Sequence, residues 1–413
     1  MGSSGGILSN VKGLRVLAAG CLMQLFLGVI YVWSVFVAPV SEHYGWEVDS
    51  VKLTTSFMLC MFVVGIIVGG KMQARLTTQV IAFLGGATLS VGMLASGFVP
   101  VGAPWLIWLT YGVMGGLGVG VSYSAIISTA QMWFPEHRGF ANGVSVCAFG
   151  LSTVLFAPLI EALLGALDVW AVFMALAAIF AAVVIAMSPS IKRPDAVAAP
   201  ASHADAADAG TEQLRIGEMV RRKEYYLIAL SLMMGTSLFF VLNPSLKIMA
   251  LERGLTGFMA TGLVMVTGVA NAIGRLAVPM LSDRIGRRGG ALAICAVTAA
   301  CAVILAFAES YAFLAAVAVV SLCYGGYSGI YPVITADYFG VRNVGANYGA
   351  VMVGFALSSL AFPVAAGVIG EGFARFAFLG AAGLAGTGLV LTLILIGRKD
   401  GIKKRKGGSM GGG

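Results

Sequence analysis

Residues 263–290 read LVMVTGVANAIGRLAVPMLSDRIGRRGG. From Leu263 to Leu281 the only ionisable side chain is Arg275, and at a helical rise of about 1.5 Å per residue the run approaches the about 30 Å of a hydrocarbon layer. It stops abruptly at Ser282, Asp283 and Arg284, followed by Gly286 and the pair Arg287 and Arg288. A helix of this length that ends in a charged corner reads as a membrane span meeting water. Arg275 then stands where charge is expensive, at about 2.5–3.5 kcal/mol for a guanidinium near mid-bilayer on insertion scales.

The same pattern recurs along the chain. A hydrophobic content of 59%, 11% charged residues and a mean hydropathy of +0.93 exclude a soluble globular protein. Apolar runs fall at 14–40, 52–73, 79–99, 105–132, 140–164, 169–188, 224–250, 256–282, 290–308, 311–339, 344–370 and 374–397, which predicts an all-α integral membrane protein with twelve transmembrane helices. No stretch has the layout of a cleaved signal peptide. Cys21, Cys60, Cys147, Cys295, Cys301 and Cys323 all lie in predicted spans without CxxC or Cys/His spacing. Neither a disulfide framework nor a metal site is indicated, and no cofactor is expected.

The formal net charge of +8 raises the question of an anionic partner, and the placement of the basic residues answers it. With both termini cytoplasmic, 21 of the 26 lysines and arginines fall on the cytoplasmic side and Lys52, Lys247, Arg253 and Arg375 outside, leaving Arg275. That asymmetry is the positive-inside bias. It predicts a multi-pass protein of the cell's inner (plasma) membrane and accounts for the basic balance through the lipid bilayer, with no nucleic acid.

Residues 189–222, PSIKRPDAVAAPASHADAADAGTEQLRIGEMVRR, break the apolar pattern and read as a partly flexible cytoplasmic linker. The chain divides into a six-helix bundle over 1–188, the linker, a second six-helix bundle over 223–397 and a basic cytoplasmic tail over 398–413. TAQMWFPEHRGFANG at 129–143 and TADYFGVRNVGANYG at 335–349 share Thr-Ala, an aromatic pair, an arginine and Ala-Asn, so the halves read as duplicates. Two parallel repeats facing each other place a substrate between them near the midplane. Glycine-rich spans such as GVMGGLGVGVSYS and CYGGYSGIYP allow close helix approach, and Pro158, Pro244, Pro279, Pro332 and Pro363 lie within spans, where they favour kinks.

Arg275 needs a partner or a cavity. The predicted spans hold no acidic residue away from their ends, Glu161, Asp337 and Glu371 all being terminal, so an intramembrane ion pair has nothing to draw on. Snorkelling toward Ser282, seven residues on, is the structural alternative. The functional reading is a substrate anion that completes the charge, met by a planar fork suited to carboxylate. Asn271, one turn earlier on the same face, is placed to hydrogen-bond the same substrate, or to serve as a satisfied inter-helix amide. Tyr331, in GGYSGIYP, is a further candidate for the pocket wall. His43, His137 and His203 lie in loops or the linker without ligand spacing.

Three stretches carry a likeness. GVIYVWSVFVAPVSEHYGW (28–46), GVGVSYSAIISTAQMWFPEHRGFANG (118–143) and NAIGRLAVPMLSDRIGRR (271–288) resemble the major facilitator superfamily, and within it the bacterial oxalate:formate antiporters and their monocarboxylate-transporter relatives. The resemblance implies the major facilitator fold of two six-helix bundles. Asp283, Arg284, Gly286, Arg287 and Arg288 match its loop motif, with Pro279 where the leading glycine stands. The loop after the second span keeps Gly70 and Arg75 but has Ala74 at the acidic position and Thr77 for the second glycine. Gating roles at Asp283, Arg284, Arg287, Arg288 and, within WFPEHRG, Arg138 are what the likeness implies.

It also implies a cavity lined by aromatic residues, matched here by Tyr31, Tyr123, Phe149, Tyr324 and Phe355. The monocarboxylate-transporter pattern Asp-x-x-x-Arg is Asn271 to Arg275 here, so the proton is not expected at position 271. Where the dicarboxylate antiporters have a second cation, this chain has Phe355. With one cation, a monoanion fits and a dianion leaves buried charge uncompensated. The expected function is therefore proton-coupled symport of a small monocarboxylate of the lactate or pyruvate type by alternating access, its partners being that anion and a proton. Carboxylate exchange of the oxalate:formate kind is the alternative. An enzyme is not expected, since the spans hold no paired acids, histidine cluster or GxSxG; a non-transporting receptor stays open, as does the oligomeric state, a monomer being sufficient.

Overall fold

In hydrocarbon every backbone N–H and C=O must be satisfied within its own segment, which is why each apolar run forms helix. A computed structural model describes residues 10–134, 138–194, 213–340, 344–369 and 374–408. His137, His203, Arg342, Glu371, most of the linker and the side chains of Arg138 and Asp283 lie outside the described residues. Among the described residues twelve helices are long and apolar enough to cross a membrane, and there is no strand.

In the first bundle the helices are α1 (Val11–Leu27), α2 (Trp33–Tyr44), α3 (Val48–Met72), α4 (Thr78–Ser96), α5 (Gly116–Trp133), α6 (Arg138–Gly150), α7 (Ser152–Ala166) and α8 (Val169–Met187). A short α9 (Ile216–Met219) precedes the second bundle of α10 (Lys223–Leu242), α11 (Leu246–Glu252), α12 (Gly257–Ile285), α13 (Arg287–Phe307), α14 (Ser310–Phe339), α15 (Val344–Ile369) and α16 (Ala374–Gly408). The face where α1 begins and α16 ends is called the near face here, and the opposite one the far face.

Three spans that read as continuous are broken. Span one is α1 and α2 joined by a 3-10 turn at Gly28–Tyr31, span five is α6 and α7, and span seven is α10 and α11 joined by a turn at Asn243–Ser245. A Cβ on Gly28 would overlap the Phe149 carbonyl, so the end of α1 presses against the α6 to α7 junction. Pro244 supplies no N–H to the ladder, which ends α10. The breaks in spans one and seven fall at equivalent places in the two bundles.

α3, α4, α5 and α8 pack on one another, as do α10, α13, α14, α15 and α16. Across the interface α3 meets α15, α6 and α7 meet α12, and α2 meets α11 and the 243–245 turn. The two described ends of the linker are docked on the bundles. Thr78 Oγ1 donates to the Ile191 carbonyl at 2.7 Å. The Leu214 N–H bonds the Phe339 carbonyl at 3.0 Å, and Asn347 Nδ2 bonds the Leu214 carbonyl at 3.0 Å. Met219 is fully buried. Apolar residues at 191, 214 and 219 anchor these ends onto the bundles, a tertiary effect that the polar composition between them conceals.

Candidate functional site

α12 lies backbone to backbone against α14, because a Cβ on Gly325 would overlap the Asn271 carbonyl and one on Gly274 the Leu322 carbonyl. Small residues on both helices fix the rotation of α12 and turn Asn271 and Arg275 together toward the first bundle. Arg275 is buried, at 7% exposure, and its guanidinium points neither to lipid nor along the helix to the near face. Nε donates to Asn271 Oδ1 at 2.9 Å and Nη2 to the Tyr31 hydroxyl at 3.1 Å. Cζ stands 5.7 Å from the centre of the Phe149 ring, within the range of a cation–π contact. These partners are dipoles and a quadrupole. Among the described residues Arg275 is the only buried charged side chain.

Tyr31 sits at the break in span one and reaches across the interface. Its hydroxyl meets Arg275 and also lies 3.2 Å from the Tyr324 hydroxyl, both on the second bundle. Its ring is edge-on to Phe149 at 5.5 Å, Tyr324 at 6.0 Å and Phe239 at 6.2 Å. Tyr123 packs edge-on to Phe149 at 5.3 Å. The result is a closed cage of rings and hydroxyls around one cation, drawn from both bundles.

Of the residues read from the sequence, the structure brings together Arg275, Asn271, Tyr31, Tyr123, Phe149 and Tyr324. Phe355 stands one layer back, 6.0 Å from the Tyr324 ring and 4.9 Å from Phe240. Tyr331 is not brought into the cage. Its hydroxyl bonds Ser231 Oγ at 2.7 Å, and Ser231 in turn meets Thr392 at 2.8 Å, all inside the second bundle. It lies two turns beyond Tyr324 on α14, about 10 Å along the axis, so it shares a helix with the cage and not a level.

Phe239 belongs to the cage and was not anticipated; it stacks on Tyr324 with ring centres 3.6 Å apart. The signal was available in the Phe239-Phe240 pair ahead of Pro244.

Near the corner after α12, Arg287 Nη1 donates to the Pro279 carbonyl at 3.2 Å and to Ser282 Oγ at 2.9 Å, tying α13 to the end of α12 across Gly286, whose φ of 86° suits glycine. Arg284 is exposed. Arg288, with Asp337, Tyr338 and Thr392, lines a cavity of about 350 Å³ within the second bundle. In the first bundle, where Ala74 replaces the acidic residue, Arg193 Nη2 donates to the Gln73 carbonyl at 3.0 Å, and the Gln73 side chain accepts from Ser128 Oγ at 2.8 Å. A residue following span six thus secures the end of α3.

Two six-helix bundles that enclose a polar centre between broken spans are the build of a polytopic membrane carrier. The chain matches the Major Facilitator Superfamily over residues 18–309 and 238–412, and it belongs to that superfamily. It is a multi-pass membrane transporter. It is similar to the oxalate:formate antiporter of Oxalobacter formigenes, 28% identical over 87% of this chain and 85% of that one. An uncharacterised MFS-type transporter of Escherichia coli (strain K12), YhjX, is 25% identical over 82% of this chain and 84% of its own length. Monocarboxylate transporter 12 of Rattus norvegicus is 24% identical over 85% and 78%.

Proposed function

We propose that this chain is a secondary active transporter of a small monocarboxylate of the lactate or pyruvate type, moved together with a proton by alternating access. The observation that carries the reading is the buried guanidinium of Arg275, hydrogen-bonded to Asn271 and Tyr31 and lying over Phe149, with no carboxylate against it among the described residues. Such a charge is neutralised when a carboxylate takes its fork of donors. Asn271 then serves the substrate's second polar group, and the rings of Phe149, Tyr324 and Phe239 accept its short hydrocarbon part.

Because Tyr31 comes from the first bundle and Arg275 from the second, an anion arriving between them acts on both bodies at once. The bodies are residues 1–188 and 223–397, joined by the linker over 189–222 and followed by the basic tail over 398–413. They rock about the site with both termini in the cytoplasm, the orientation that the basic residues favour. Asp283, Arg284, Arg287, Arg288 and Arg138 act at the near-face ends as gating residues.

Carboxylate exchange is the second reading, favoured by the similarity to the oxalate:formate antiporter. The test is uptake of radiolabelled lactate by proteoliposomes. Wild type is expected to accumulate label under an outside-acid gradient with no carboxylate inside, and Arg275→Ala to take up none. Uptake that requires internal carboxylate and ignores the pH gradient would favour exchange. Equal uptake by wild type and variant would remove Arg275 from the site.

A further inference from the structure

At the far face a carboxylate of the first bundle is bonded to two groups of the second. Glu161 on α7 accepts from the Lys247 ammonium on α11 and, at 3.1 Å, from Thr261 Oγ1 on α12. Both donors belong to the second bundle, and the same face is sealed by α2 packing on α11 and on the 243–245 turn. The Lys247 side chain is 13% exposed and that of Glu161 42%, so the ammonium is withdrawn while the carboxylate keeps a side to water. The pair is absent from the machinery around Arg275, and it spans the one boundary that has to part if the far face opens.

We propose that Glu161 is a proton-binding site whose occupancy unlatches the far face, an inference that rests on the rocking of the bundles proposed above. A proton from far-face water adds to the carboxylate and converts it to the neutral acid. The Coulomb attraction to Lys247 is lost, while hydrogen bonding to Thr261 survives. The pair favours the closed arrangement while the carboxyl is ionised, and that contribution is absent when the carboxyl is neutral.

The other titratable groups at this end of the elements packed on α7 and α11 include Glu42, His43 and Tyr44 at the end of α2, Asp168 ahead of α8, and Glu252 and Arg253 at the end of α11. The four acidic and histidine side chains are exposed, Tyr44 is buried against Trp46, and Arg253 lies over the Phe313 ring. α12 carries no charged side chain between Gly257 and Arg275, and the 3-10 turn brings only Tyr31. α1 has its basic residues, Lys12 and Arg15, at the opposite face, and the described part of α6 beyond Gly139 carries no charge. Lys247 is therefore the cation that responds to the charge on Glu161.

The test is a distance measurement by pulsed electron paramagnetic resonance between nitroxides at positions 167 and 251, both exposed on the far face and on opposite bundles, in a chain with its six cysteines replaced. Between about pH 7.5, well above the ordinary glutamate range, and about pH 4, within it, the longer-distance population is expected to rise about two- to fivefold, as suits a pair whose carboxylate keeps a side to water. Glu161→Gln is expected to hold the longer population at every pH. The exchanged pair, Glu161→Lys with Lys247→Glu, is expected to restore the pH response, which a merely structural role for position 161 does not predict. A wild-type distribution that ignores pH, or Glu161→Gln responding as wild type does, overturns the proposal. No substrate is needed, so this failure is distinct from a failure of the monocarboxylate reading, which shows as absent lactate uptake.

Discussion

A guanidinium keeps its charge at any pH a cell meets, so burying one commits the protein to supplying compensation. Asn271 and Tyr31 supply hydrogen bonds but no negative charge. Arg275→Lys retains the charge and loses the planar fork, and lactate uptake by this variant is expected to fall at least about tenfold, the loss of one charge-assisted hydrogen bond of about 1.5 kcal/mol. Phe355, behind Tyr324, is the position at which a second cation changes the choice of anion. Phe355→Lys is expected to lower thermal stability without ligand, because two like charges then share one apolar wall, and to regain it when oxalate is added but not lactate. A thermal melt in detergent with each anion reads both effects.

The elements owe their placement to contacts that tolerate no side chain. α12 and α14 touch at Gly325 and Gly274, where a single added carbon meets a backbone carbonyl of the facing helix. Gly325→Leu forces the helices apart, at an overpacking cost of about 1–3 kcal/mol or more. The expected result is a lower melting temperature by intrinsic tryptophan fluorescence, with lactate uptake lost in the fraction that remains folded, because Asn271 and Arg275 turn with α12. The break between α1 and α2 works in the same way. Gly28 lets span one close on the α6 to α7 junction, and the turn that follows directs Tyr31 across the interface toward Arg275.

At the scale of the molecule, the cage is made by neither bundle alone. Tyr31, Tyr123 and Phe149 belong to the first and Arg275, Phe239 and Tyr324 to the second, so binding an anion is a statement about how the bundles sit. A ligand that binds only the folded carrier stabilises it by about 2.7 kcal/mol when present at about a hundred times its Kd. Lactate is thus expected to raise the melting temperature of wild type and leave that of Arg275→Ala unmoved.

Hydrophobic length is a local property, since each span must satisfy its backbone within itself and clear the hydrocarbon unaided. For that reason the twelve spans, the superfamily and the presence of one isolated intramembrane arginine were legible in the amino-acid order. Asn271 was legible with it, being one helical turn away, and of the aromatic positions that the family likeness marked Tyr31, Tyr123, Phe149 and Tyr324 meet around it while Phe355 stands one layer back. Whether a tyrosine on a wholly apolar helix faces a partner helix, the interface or the interior of its own bundle depends on helix rotation and height, which hydropathy does not encode when every face of the helix is buried in something oily. Only the tertiary structure could separate Tyr324 from Tyr331, add Phe239 from another span, break spans one and five where Gly28 and Gly150 stand, dock the ends of the linker, and bring Glu161 to Lys247. Each of those depends on atoms far apart in the chain arriving at one place, a condition set by packing between helices and by no single run of residues.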